Sequence, residues 1–280
     1  MRLDVSSEER LFAESVRSAI GGWEPTREPE LAAWLDDRDD ALAARLAHAG
    51  WTELWADPGL LGAAVAGAVE LGRATAPACV LDETTLGGAL AVGGRARHGV
   101  GASRLAVPLL SGGLASADVP SALARESTLD GSGTVRLTAG ALDELSAPEA
   151  RARWRAWTAV TLAYLAGLAA DALDRSVEHA RRREQFGAPL AALPAVRGRH
   201  ADAALAVDAL ALVARASADG DGGVDGPALL WAGGACCEVT AAAHQVHGAL
   251  GFALQTGLHR LHRRATATQA WAAAVCAATR

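Results

Sequence analysis

RRREQFGAPLAALPAVRGRHAD, residues 181–202, interrupts a long run of helix-like sequence with a short polar turn. Upstream, Leu165, Ala169, Leu173 and Val177 recur at steps of four, and downstream Val196, His200, Ala203, Val207, Leu210 and Ala214 repeat at fours and threes. Between those two helices, Arg183 and Gln185 sit on a turn fixed by Phe186, Gly187 and Pro189. A guanidinium and an amide held near a helix end bind a diphosphate well, because the planar donor fork matches phosphate oxygens. A second stretch, HQVHGALGFALQTGLHRLHRRA at 244–265, has the same character. Its HGALG places Gly248 and Gly251 where a helix stops, so backbone N–H groups come close to a ligand. Either phrase alone also reads as helix punctuation. The pair, in order and separated by helices, points to a ligand site.

Outward from these phrases the pattern stays helical. Leu230, Gly234, Cys237, Ala241, His244 and Gly248 line a third helix, and Leu258, Leu261, Ala265, Thr268, Ala272 and Val275 a fourth. The Gly-rich, acidic SADGDGGVDG at 217–226 reads as a solvated joint between antiparallel helices. Small residues at Gly233, Gly234 and Ala235 permit close helix approach, so residues 151–280 read as a four-helix bundle. At the other end, Ser6 and Glu9 have capping-box spacing ahead of Phe12, Val16 and Ala19. LAARLAHAG and LLGAAVAGAVELGRATAP follow as helices, the latter closed by Pro77, giving a helical domain over 1–96. Residues 97–150 change character. SGG, DVP and DGSG are turn signals, and Val135 and Leu137 alternate with polar neighbours, as in a small β-containing segment.

Composition excludes several roles. A chain of 280 residues can bury a substantial core without disulfides, and its net charge of −6 argues against nucleic acid as a partner. The basic clusters RARWR and RRR are flanked by Glu149 and Glu184. No uninterrupted apolar run reaches the roughly 18 residues that a membrane span needs, and the N-terminus lacks a basic segment followed by an apolar one, so a cytoplasmic protein is expected. Cys79, Cys236, Cys237 and Cys276 show no C-x-x-C spacing and read as buried thiols. Trp23, Trp34, Trp51 and Trp55 read as half-buried packing residues.

The 181–202 and 244–265 phrases together resemble the C-terminal domain of acyl-CoA dehydrogenases, in which an R-x-Q-F-G-x-P-(I/L) loop follows one helix and a Q-x-H-G-G-x-G-(F/Y) turn another. The SSEERLF helix and VELGRATAP are similar to that family's first domain. The resemblance implies a mainly α fold with an N-terminal helical domain, a reduced middle β segment and a C-terminal four-helix bundle. It also implies FAD shared across a subunit interface, with Arg183, Gln185, Phe186, Gln245, Gly248 and Gly251 at the matching cofactor-binding positions.

Such enzymes remove an α-proton from an acyl-CoA thioester while hydride passes from the β-carbon to the flavin, and so need a carboxylate base. The family places that base at one of three positions, which here are Gln255, about Ala272 and about Trp157. None is acidic, and the middle segment is too short to close the family's β-barrel around a flavin ring. The resemblance therefore implies a non-catalytic companion subunit of a heteromeric FAD-dependent acyl-CoA dehydrogenase, in a homo- or hetero-oligomer, with an acyl-CoA thioester as substrate of the assembly. Two other roles stay open: a stand-alone enzyme repurposed for a non-redox step such as dehydration or cyclisation, and a cofactor-free structural oligomer. His244, His247, His259 and His262 form two H-x-x-H pairs, but Arg260, Arg263 and Arg264 beside the second oppose a cation, so no metal site is expected. Glu83, Thr84 and Thr85 in DETTLGG read as a loop and helix cap.

Overall fold

The computed structural model describes residues 5–21, 23, 39–97, 101–119, 124–126, 134–136, 141–220 and 222–280. Trp34, the DGSG turn and Leu137 lie outside these. Helix α1 (Ser7–Ile20) opens on the expected capping box: the Ser6 hydroxyl accepts from the Glu9 N–H, and the Glu9 carboxylate accepts from the Ser6 N–H. Helices α2 (Asp40–His48), α3 (Leu61–Arg73) and α4 (Cys79–Leu86) complete the N-terminal part. The DETT tetrapeptide is thus inside α4 rather than in a loop, and the turn signal belongs only to Gly87, which ends the helix with a left-handed φ of 79°.

A sheet follows, made of β1 (Ala89–Val92), β2 (Arg95–Arg97), β3 (Arg104–Pro108), β4 (Leu114–Asp118), β5 (Ala124–Glu126), β6 (Thr134–Arg136) and β7 (Asp143–Glu144). It begins at Ala89, ahead of the boundary expected at 97. Ala is a weak strand former, which hides β1, yet Gly93 and Gly94 supply the paired positive φ of a two-residue hairpin. The described strands run in the order β5-β6-β2-β1-β3-β4-β7, antiparallel except where β1 meets β3, with no β5–β7 pairing among the described residues.

The C-terminal bundle comprises α5 (Ala147–Arg182), α6 (Pro194–Ala218), α7 (Gly226–His247) and α8 (Leu258–Ala278), with a hairpin of β8 (Glu184–Gln185) and β9 (Ala188–Pro189) between α5 and α6. The α8 face is the one expected: Leu258, Leu261, Ala265, Thr268, Ala272 and Val275 are all buried. On α7 the buried stripe is shifted by one residue, to Leu229, Gly233, Cys236, Val239, Thr240 and Ala243, leaving Leu230 and Trp231 exposed. Small and apolar residues surround this helix on every side, so periodicity alone cannot choose its inner face. Helix α5 is apolar enough over a window to cross a membrane by length and composition, a feature obscured in the sequence by interspersed polar residues. That window is 89% buried inside the protein, as a core helix would be.

α5 is the axle of the molecule: α3, α6 and α7 all pack against it. Its crossing with α3 depends on two glycines that the sequence reading did not single out. A Cβ at Gly167 would lie 2.1 Å from the Val69 carbonyl oxygen, and one at Gly72 would lie 2.1 Å from the Tyr164 carbonyl oxygen. Tyr164 then donates its hydroxyl to the Ala76 carbonyl at 2.6 Å, tying the segment after α3 to the same contact. Gly233 has a similar role against Gln269 of α8, whereas Gly234 meets only ordinary van der Waals contact. Gly167→Ala is therefore expected to destabilise the fold by about 3 kcal/mol, since the obstructing atom is backbone and cannot turn aside. Thermal or urea unfolding checks this against Gly234→Ala, expected to lie within about 0.5 kcal/mol of the parent.

Candidate functional site

Arg183 ends α5 in an extended conformation, its N–H still donating to the His179 carbonyl at 2.8 Å and its own carbonyl accepting from the Leu190 N–H at 2.8 Å. The hairpin that follows turns on Phe186 (φ 55°) and Gly187 (φ 80°). A bulky side chain in the left-handed region costs about 1 kcal/mol or more. Phe186 nevertheless presents its ring to solvent, 92% exposed. The ends of α5 and α7 meet through the His179 and His247 rings, stacked at 4.1 Å and 22°. This brings the hairpin beside the second phrase. Gly248 adopts φ 61°, ψ −136°, a conformation for glycine alone, with open space where a Cβ would stand. Arg183, Gln185, Phe186, Gln245 and Gly248 are all exposed at this end of the bundle. Gly251 is buried beneath it, and its missing side chain is required by the chain itself, because a Cβ would stand 2.7 Å from the His244 carbonyl oxygen.

The three positions that the resemblance matches to the family's base lie on different elements. Gln255 is exposed on a single helical turn, Leu254–Thr256, which Arg175 ties to α5 by donating to the Thr256 carbonyl at 3.2 Å. Arg175 also pairs with Asp171 at 2.7 Å. Burial pushes the Asp171 carboxyl above its ordinary range, and the Arg175 charge opposes that shift. Ala272 is buried in α8.

Trp157 is fully buried, and its indole N–H donates to Asp82 Oδ1 at 2.9 Å. Asp82, 0% exposed, also accepts from Arg97 Nη2 at 2.6 Å on Oδ1 and from Arg97 Nε at 3.0 Å on Oδ2. The Arg97 guanidinium lies 5.7 Å from the Trp271 ring, and Trp154 meets Trp157 edge-on at 5.5 Å. Asp82 and Arg97 were not visible as site residues in the sequence. The available signal was the acidic pair Asp82 and Glu83 after the apolar CVL of α4 and the two arginines of the R-A-R strand.

Among the described residues no group of three or more His, Cys, Asp or Glu is placed to hold a metal ion. His247 Nδ1–H donates to the Ala243 carbonyl at 2.8 Å. Thr240 Oγ1 lies 3.0 and 2.9 Å from the Cys236 and Cys237 carbonyl oxygens and 2.8 Å from His262 Nδ1, where the imidazole tautomer decides which of that pair donates. Burial lowers the pKa of His179, with help from His247 and Arg183, and burial likewise lowers His200. His262 is lowered by burial and His244, and His259 falls to about 4 through burial, Arg260, Arg263 and His244. Because these folded-state values lie below the unfolded value of about 6.5, the unfolded chain binds more protons as pH falls, and stability declines with it. The melting temperature should be level above about pH 7 and drop as pH falls from about 6.5 towards 4. Melts across that range check this, and a flat profile contradicts it.

Residues 156–272 match the family model described as acyl-CoA dehydrogenase, C-terminal domain. Over that segment the chain is similar to the C-terminal domain of acyl-CoA dehydrogenases. One curated member, cyclohex-1-ene-1-carbonyl-CoA dehydrogenase of Syntrophus aciditrophicus (strain SB), is 36% identical over 110 residues, 37% of this chain. The match spans about a quarter of that relative, 27% of its length. Among solved structures, the Tcur3481-Tcur3483 steroid ACAD G363A variant superposes with a TM-score of 0.76 at 21% identity, covering 98% of this chain and 96% of that one. The ChsE4-ChsE5 complex from Mycobacterium tuberculosis superposes with a TM-score of 0.74 at 19% identity, covering 99% and 96%. These superpositions extend the acyl-CoA dehydrogenase fold over the N-terminal helices and the sheet as well as the bundle.

Proposed function

We propose that this chain is a non-catalytic companion subunit of a heteromeric, FAD-dependent acyl-CoA dehydrogenase that desaturates an acyl-CoA thioester between its α and β carbons. One observation carries the reading: an exposed amide at Gln255, a buried methyl at Ala272 and a buried indole at Trp157 stand at the positions that the resemblance matches to the base, while the bundle end stays open. The similarity in fold to Tcur3481-Tcur3483 and to the ChsE4-ChsE5 complex, each made of two different polypeptides, supports an unequal pair. A partner chain would bring the carboxylate.

FAD, when bound, supplies the hydride acceptor. The residues at the bundle end suit its diphosphate: Arg183 offers a solvent-facing guanidinium beside the exposed backbone at Gly248, with room where a Cβ would stand. Gln185 and Gln245 add amide donors, and Phe186 an exposed ring held in a strained turn. Such a ring, with Leu205, Leu212 and Trp231 also exposed on α6 and α7, favours burial against another subunit.

The test is co-expression with a full-length acyl-CoA dehydrogenase-like chain encoded nearby. Arg183→Ala in this chain should weaken FAD retention in the assembly by roughly tenfold or more, read by dialysis and flavin absorbance. Unchanged retention would remove Arg183 from the cofactor site. Gln255→Glu in the isolated chain should give no dye reduction with acyl-CoA, and activity gained by that change would mean a self-sufficient enzyme lacking only its base.

A further inference from the structure

Asp82 lies where three layers of the protein meet. It belongs to α4, its bidentate partner Arg97 to β2 of the sheet, and Trp157 to α5 of the bundle, while Arg97 also faces Trp271 of α8. Three donors occupy the carboxylate, and it has no exposed surface, so it is poorly placed to exchange protons with a ligand. A general base must come within about 3 Å of the proton that it removes. A residue at a base position therefore borders the space for the reacting carbon. At position 157 that border is an indole bonded to the protein's own carboxylate.

We propose that Asp82, Arg97 and Trp157 form a plug that closes this chain's own thioester site, so that the chain lends its bundle end to a partner's cofactor and admits no acyl-CoA at this junction. The plug deepens the companion reading, on which it rests, by naming what confines substrate to the partner. It differs from simple loss of the base. A missing base leaves an open pocket that binds substrate without turnover, whereas the plug denies substrate entry. Trp154, packed edge-on against Trp157 with its indole N–H on the Gly113 carbonyl at 3.2 Å, backs the plug from the sheet side.

The test uses the unaltered full chain and octanoyl-CoA as probe. The Trp157 indole N–H, assigned through Trp157→Phe, should be among the slowest indole protons to exchange with solvent. Neither its resonance nor its exchange rate should change as octanoyl-CoA is added. Saturable movement of that resonance, or exchange accelerated by octanoyl-CoA, overturns the plug. The companion role is read separately through the Arg183→Ala effect on FAD retention. A chain that opened at Trp157 yet still needed Arg183 for the partner's flavin would lose the plug and keep the companion role.

Discussion

The fold depends on one buried charge pair. Asp82 and Arg97 are almost wholly removed from water, and neither could be buried alone. Removing one partner of such a pair typically leaves an uncompensated charge worth about 3–5 kcal/mol of destabilisation. Here the pair also fixes geometry, because its donors and acceptor come from three layers: α4, β2 and, through Trp157, α5. The sheet cannot shift against the bundle without stranding the carboxylate. The same constraint that orders the layers also carries the proposed plug, so the architecture and the proposed closure share one cause.

The opposite end of the bundle is built differently. Its hairpin and the turn after α7 are joined through the stacked His179 and His247 rings, and what they present outward is backbone, guanidinium and an exposed ring. The strained Phe186 backbone and the glycine-only conformation at Gly248 are local conflicts of the kind that accompany function more often than packing. A closed interior and an open end are what a chain needs if it completes a site in another subunit.

Much of this was legible in the sequence, where a rule depends on near neighbours. The Ser6–Glu9 capping box, the α8 stripe and the turn at Phe186 and Gly187 follow from spacing within a few residues. What was hidden depends on distant partners. The inner face of α7 is set by its neighbours because its own residues are small on every side. The Gly72–Gly167 crossing joins helices far apart in the chain. Strand β1 was masked by its alanines although its Gly93–Gly94 turn was in plain view. Asp82 and Arg97, separated by a hairpin, read as ordinary surface charges until the fold brings them together. At the bundle end, the His179–His247 stack joins the helix ends that carry the two phrases. Gly251, however, serves its own chain, and Trp157 is meaningful only beside Asp82.

The most direct test of the account is the flavin count in a purified one-to-one assembly of this chain with the proposed catalytic partner. A base-free, plugged chain that lends only its bundle end predicts one FAD for each pair of chains and none retained by this chain alone. Two FAD per pair, or a flavin that stays with this chain after the partner is removed, would contradict it.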